Sequence, residues 1–433
     1  VGTDAEVNEN GSSYVAYIFG HNSDLDAEKQ LISCGSYIGD GTQTDNAISI
    51  GWEPALLMIK PATAYEGWVV FDEMRGFNFG GDEAKLAWND ADAEASNQGY
   101  VNVGPTGFYL TQGSDKVNQS DQRYIYMAIR RGPMAEPETG ADVFKAAYGS
   151  GSNPCWQSPF KVDMTLDLNV GGGSTDDPSF GVRTRQKSYS GNFTDRSNPS
   201  WSNWSGQNYS YATGFRDTNN GSSDLGYMWA RRKGAFSVVN YKGNGQSTQN
   251  VAHDLAGEIG MMWVGGGNSQ TYWSAYARPL GANLRIQLGN SQNAPQSGFW
   301  NNTNPTDTVF TVNADYNGNN TTYMAVLFGN LSGISKVGSF TGNGSSQTID
   351  CGFSNGIRHL FMKRTDSSGY IYMWDEANGF TGNAPYWYWK DQAGLVSNQD
   401  TIDVASSGFT VKYNNENKIN NNNSTYVFYA VAV

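Results

Sequence analysis

The 433-residue sequence has little of what hydrolytic, metal-dependent and membrane-spanning proteins use. Cysteine occurs three times, at Cys34, Cys155 and Cys351, at unrelated spacings and without a CxxC pair. That supports neither a disulfide framework nor a zinc site. Histidine also occurs three times, at His21, His253 and His359. Nucleophilic Ser-His-Asp or Cys-His chemistry needs a histidine base beside its nucleophile, and these three read as packed or surface residues. No HExxH, GxSxG or GxxxxGK[ST] pattern occurs, so the metalloprotease, hydrolase-elbow and P-loop readings have no motif to rest on. Apolar runs such as Ala55–Ile59 and Met261–Val264 are far shorter than the ~18 residues of a spanning helix, and no membrane insertion is expected. Basic residues are outnumbered, 28 to 41, giving a net charge of −13. Such a surface repels phosphate backbones, so no nucleic acid partner is expected. The first residue is not Met and no charged-then-apolar signal region follows it. Val1 is therefore expected to follow either a processing cut or a missing upstream segment.

Glycine and aromatic side chains are abundant. With 52 Gly, 13% aromatic and 38% hydrophobic residues, the composition is that of an ordered, turn-rich β protein; a disordered chain would show few aromatics and many charges. The length exceeds what one hydrophobic core sustains, about 250–300 residues, and predicts three or four domains.

Self-similarity gives the clearest signal. Gly35-Ser36-Tyr37-Ile38-Gly39-Asp40-Gly41 matches Gly338-Ser339-Phe340-Thr341-Gly342-Asn343-Gly344. The match continues through Phe71-Asp72-Glu73 with Trp374-Asp375-Glu376, and Trp88 with Trp389, to Gly107-Phe108 with Gly408-Phe409. A third copy opens at Val239-Asn240-Tyr241 and closes at Tyr323-Met324-Ala325-Val326. Further aromatic closing strands stand at Tyr14–Tyr17, Tyr124–Ala128, Tyr227–Ala230 and Tyr426–Ala430. The expected organisation is therefore residues 1–26 as the terminal strand of a preceding unit and a linker, then units at 27–132, 133–233, 234–330 and 331–433. The second unit is divergent, with residues 170–224 read as long loops on a shortened sandwich.

Each unit holds about eight short strands between turn signals, which predicts jelly-roll or concanavalin-like β-sandwiches in tandem. The closing segments read as central strands. The Gly-aromatic-x-Gly-Asp/Asn-Gly element reads as a strand entering a tight hairpin turn. Asp82–Ala95 carries only weak helical character.

Two residue groups could carry function. The recurring pairs Asp72-Glu73 and Asp375-Glu376, with Asp90 and Asp391, resemble the paired carboxylates of glycoside hydrolysis. Neighbours on a strand point to opposite faces, however, so turn capping is the favoured role, ahead of carbohydrate or cation contact and of catalysis. The aromatic surplus of Tyr386-Trp387-Tyr388-Trp389, and of Trp201 and Trp204 among Ser and Asn, exceeds what one sheet face buries. Trp201, Trp204, Tyr386, Trp387 and Trp389 are therefore the candidate binding residues, for a neighbouring subunit, another domain or a sugar.

The repeat, with its Gly-Ser-Tyr/Phe-x-Gly-Asp/Asn-Gly opening, Lys60 and Lys363 ending an apolar strand, and Tyr-x-Tyr-Met-Ala closing strand, resembles a tandem β-sandwich family of unknown function in tail and fibre proteins of marine bacteriophages. The resemblance implies a non-catalytic virion component for host attachment or assembly: tail, tail fibre, or head-surface fibre or decoration. It implies no catalytic residues, no cofactor and no metal. Its partners would be other virion proteins or copies of the chain in a homo-oligomer, and a host surface glycan. A secreted or surface bacterial adhesin or lectin, and a polysaccharide-degrading enzyme, are the alternatives.

Overall fold

The computed structural model describes residues 4–22, 29–42, 46–77, 83–95, 99–132, 134–168, 180–193, 211–215, 224–266, 273–288, 295–380, 382–389, 394–397, 399–414 and 419–433. Strand accounts for 46% and helix for 4%, so the chain is an all-β protein with antiparallel sheets. Among the described residues, no helix is long and apolar enough to cross a membrane.

In the first unit a five-stranded sheet runs Ile32–Ile38, Arg123–Arg130, Pro54–Pro61, Val69–Asp72, Leu86–Ala87. It faces a three-stranded sheet of Asn46–Ser49, Gly107–Leu110 and Val101–Gly104. Leu57, Phe71 and Tyr124 from the first sheet meet Val103, Phe108 and Leu110 from the second in one buried cluster. The fourth unit repeats this order with Ser335–Thr341, Thr425–Ala432, Ile357–Arg364, Ile371–Asp375, Tyr386–Trp389 and Gly394–Val396, faced by Gln347–Asp350, Gly408–Val411 and Ile402–Ala405. The third runs Phe236–Lys242, Thr322–Gly329, Ile259–Gly266, Ser274–Ala277, Leu284–Gln287, Gln296–Ser297, faced by Thr248–Ala252 and Val309–Asn313. In all three the closing strand lies between the first and the third, and the third carries a register shift at its start, at Pro54/Leu56, Ile259/Met261 and Ile357/His359. Asp72 and Asp375 occupy matching pairing positions opposite Leu56 and His359. The Trp88 N–H donates to the Trp68 carbonyl, and Trp389 pairs with Ile371, which places both tryptophans at the same register position.

The second unit has one described sheet, Lys187–Phe193, Phe180–Thr184, Met164–Leu168, Leu225–Trp229, Phe144–Tyr148. Two of these strands fall within 170–224, so that stretch is not loop throughout. Trp156, Phe160 and Phe215 cover one face of the sheet. The other face joins a core shared with the third and fourth units, where Phe144, Leu166 and Trp229 meet Trp263, Phe328, Phe361, Trp387 and Tyr429. The large sheets of the third and fourth units are thus buried on both faces, which is why their strands are almost continuously apolar.

The Gly-x-Gly element does not form a hairpin. In the first, third and fourth units the strand before it pairs with the closing strand, whereas the strand after it belongs to the opposite sheet. A side chain that bridges the sheets makes this crossover. Buried Asn118 accepts the Asp40 N–H (3.1 Å) and donates to the Asp40 carboxylate (2.9 Å) and the Thr42 carbonyl (3.1 Å). Asn317 holds Asn244 and Gln246 in the same way, and Asn420 holds Asn343 and Ser345. The last glycine of each element has positive φ: 69° at Gly41, 73° at Gly245 and 66° at Gly344. That backbone is strained for a residue with a Cβ.

Candidate functional site

Where loops of the first three units converge, ionisable side chains surround a cavity of about 10 Å³, room for about one water molecule. The residues of this ionic cluster come from strand ends. Glu53 precedes Pro54–Pro61, Glu73 follows Val69–Asp72, and Arg131 follows the first closing strand. Lys161 and Asp163 lead into Met164–Leu168, Arg185 and Gln186 turn between the next two strands, and Arg231 follows Leu225–Trp229. Asp254 follows Thr248–Ala252 in the third unit.

Arg231, buried, makes a two-point contact with Glu53 (Nη1–Oε1 3.1 Å, Nη2–Oε2 3.1 Å) and reaches Asp254 Oδ2 at 2.9 Å. Ser237 donates to the other Asp254 oxygen at 2.7 Å. The Arg231 backbone N–H donates to Asp163 Oδ2 at 2.8 Å. Glu73 takes Lys161 Nζ at 2.7 Å and Arg131 Nε at 3.3 Å. Gln186 donates to Glu53 and accepts from Asn240. Four carboxylates (Glu53, Glu73, Asp163, Asp254) thus face four cations (Arg131, Lys161, Arg185, Arg231), so the cluster is charge-balanced.

Burial pushes the Asp163 carboxyl upward, but Arg131, Lys161, Arg185 and Arg231 outweigh it and hold the group below the ordinary carboxylate range. At Glu73 burial is likewise outweighed by Lys161 and Arg131. At Asp254, whose side chain is partly open to solvent, desolvation by the surrounding protein is outweighed by Arg231 and Arg131, and the value falls to about 2. Burial lowers the Arg231 value, yet Asp254 and Glu53 carry it above the usual arginine range. A general acid for glycoside cleavage needs a raised carboxyl pKa; Glu73, Asp163 and Asp254 shift the other way. The arrangement holds three units together.

The recurring acids serve structure. Asp72 Oδ1 accepts the N–H groups of Met74 and Arg75, and Asp375 Oδ1 those of Ala377 and Asn378, each capping the turn that follows its strand. Their neighbours reach out of the unit: Glu73 to Lys161, Glu376 to Lys145 and to the Ala146 N–H. Asp90 is exposed, and Asp391 lies outside the described residues. His359 stacks against Phe144 (4.5 Å between ring centres) in the shared core, and His253 hydrogen-bonds the Thr306 carbonyl at 3.1 Å. Among the described residues, no group of three or more His, Cys, Asp or Glu side chains is placed to hold a metal ion.

The structure does not bring the candidate binding aromatics together on a surface. Tyr386 is buried inside the fourth sandwich and Trp387 in the core shared with the second and third units. Alternation does send them to opposite faces, as the sequence implies, but both faces are covered by this chain, so neither residue is open to an outside partner. Trp389 is described as strand backbone only; Trp201 and Trp204 lie outside the described residues. Two features lie beyond the sequence motifs above. The clamping asparagines share a legible signal, standing six residues before the closing tyrosine in Asn118/Tyr124, Asn317/Tyr323 and Asn420/Tyr426. The ionic junction has no such signal, because its members lie far apart in the chain.

Fold and junction together define an all-β sandwich protein whose units are joined by buried apolar and ionic contacts. The chain belongs to the family described as Domain of unknown function (DUF7483), whose model matches residues 1–133 and 173–433. No curated protein matches it.

Proposed function

We propose that the chain is a non-catalytic structural component of a bacteriophage virion, a tail, tail-fibre or head-surface protein that displays β-sandwich units for assembly or host attachment. The observation that carries the mechanical half of this reading is the joining of the units. Three share one core, and a charge-balanced ionic cluster ties in the first. Inter-domain contacts in flexible multidomain chains are smaller and more polar; a body that transmits or resists force benefits from a continuous core. The virion setting rests on the resemblance of the opening and closing motifs. Partners would be neighbouring virion proteins, further copies of the chain, or a host glycan.

Antibodies against the chain, applied to gradient-purified phage particles from the source, test the setting. Particle-bound label, at the same position on every virion, is expected. Label confined to cell-envelope fractions would replace the virion with the adhesin reading. Release of oligosaccharide from host polysaccharide, abolished by Asp375→Asn, would replace it with the enzyme reading.

A further inference from the structure

We propose that residues 4–20 are the closing corner and central strand of an additional sandwich stacked on the first unit, and that they dock into an incomplete unit of this same kind, one lacking its own closing strand.

The segment already has the conformation. In the three complete sandwiches an asparagine stands six residues before the closing tyrosine, and Asn8 stands six before Tyr14. The tyrosine oxygen accepts the N–H of the residue after that asparagine: Gln119 to Tyr124, Gly318 to Tyr323 and Asn421 to Tyr426, each at 2.9 Å, and Glu9 to Tyr14 at 2.7 Å. The tyrosine donates in turn to a carbonyl nine residues back, Tyr124 to Asp115 and Tyr14 to Ala5, both at 2.7 Å. The residue three before the tyrosine has positive φ in all four: 62° at Asp121, 56° at Asn320, 59° at Asn423 and 85° at Gly11.

The connection to the next unit also matches. After the third closing strand, the Asn330 side chain accepts the Val337 N–H at 2.6 Å. After Phe19 and Gly20, His21 Nδ1 accepts the Cys34 N–H at 3.2 Å. Val337 and Cys34 each lie three residues before the aromatic that stacks on the closing tyrosine of their unit, Phe340 on Tyr426 and Tyr37 on Tyr124. His21 thus stands to the first unit as Asn330 stands to the fourth.

The segment that follows the corner is bare. Tyr14-Val15-Ala16-Tyr17-Ile18-Phe19-Gly20 parallels Tyr323-Met324-Ala325-Val326-Leu327-Phe328-Gly329, whose members are all buried. Val15, Tyr17 and Ile18 are instead 81%, 83% and 91% exposed, and residues 14–19 pair with no strand among those described. Consecutive exposed apolar residues of this kind mark an interaction site, and a segment that takes up strand conformation on an open sheet edge binds by β-augmentation. A second copy of residues 1–433 offers no vacancy, because in each of its units the closing strand already lies between two others. The occupant's first strand can be specified further. Across from the closing strand, glycine opposes a large ring (Gly35 with Tyr126, Gly338 with Phe428), and Val239 opposes Ala325. Ala16 calls for the second arrangement, a Val-sized residue opposite.

The test grafts residues 234–312, the third unit without its closing corner, directly before Asp4 of the full chain, and follows chymotryptic cleavage at Tyr17 and Phe19. Cleavage is expected to slow at least 100-fold against the ungrafted chain, to the rate at Phe328 in a reference graft that carries residues 313–329 in place of 4–20. Cleavage as fast as in a graft with residues 14–19 scrambled overturns the proposal. Sedimentation equilibrium of the ungrafted chain should give a monomer; a dimer dissolved by Ile18→Asp would show that copies cover each other and would overturn the choice of occupant. Neither result bears on the virion setting.

Discussion

Tyr227 of the second unit donates its hydroxyl proton to Asp375 of the fourth at 2.8 Å, inside the protein, where Asp375 already caps the turn after its strand. One carboxylate thus serves both a local turn and a contact between units. Burial raises both groups above their ordinary values, so neither is free to lose its partner without a desolvation cost. Tyr227→Phe removes the donor and leaves that carboxylate oxygen with Asn378 alone. A loss of about 1–3 kcal/mol is expected from urea unfolding, and a midpoint unchanged within error would count against the contact.

The asparagine clamps are expected to be costly to remove one at a time. Asn420→Ala leaves the Asn343 N–H and the Ser345 carbonyl without their side-chain partner. Each orphaned group costs about 1–3 kcal/mol. Hydrogen exchange should localise the loss to the crossover at residues 342–347, and exchange accelerated uniformly over the chain would contradict a local clamp.

Cross-strand size complementarity makes a double-mutant prediction. A Cβ on Gly338 would lie 2.5 Å from the Phe428 ring, so Gly338→Val alone overpacks, at about 1–3 kcal/mol. Phe428→Ala alone leaves a cavity, at about 3–5 kcal/mol. Combined, they reproduce the Val239–Ala325 pair and should cost less than the sum; additive costs would refute the complementarity.

Arg231→Met should unfold the junction more readily than Arg231→Met combined with Glu53→Gln. The single change strands Glu53, which is mostly buried, without its two-point partner. Breaking a buried pair from one side costs about 3–5 kcal/mol, whereas neutralising both sides costs far less. Equal stabilities for the two variants would show that solvent already screens Glu53.

Acid sensitivity should begin near neutrality because of His359. Burial lowers its value to about 3, with a backbone contact at Trp374 opposing, against about 6.5 in an unfolded chain. The lowered value means the unfolded state binds the proton first. Stability is therefore complete above about pH 7 and falls by roughly 1.4 kcal/mol per pH unit toward pH 3. The depressed carboxyls at Asp163, Glu73 and Asp254 add losses only below their ordinary range, near pH 4. His359→Leu should flatten the profile between pH 7 and 5 and leave the loss below 4. A wild-type profile already flat between pH 7 and 5 would refute the role of His359.

Much of the fold was legible because it depends on local pattern. Four of the five closing strands, the glycine turns and the turn-capping role of Asp72 and Asp375 follow from residue type and spacing, since alternation and φ preference act within a few residues; Tyr14–Tyr17, the fifth, forms no strand among the described residues. The hairpin reading of the Gly-x-Gly turn failed where a distant side chain decides: Asn420 lies 77 residues from Asn343 yet sets the crossover. The aromatic run Tyr386–Trp389 shows the same division. Its alternation, dictated by strand geometry, demands cover on two faces. Only the packing of the second and third units against the fourth decided that Trp387 is covered from within the chain, because burial depends on which sheets meet and not on the strand's own residues.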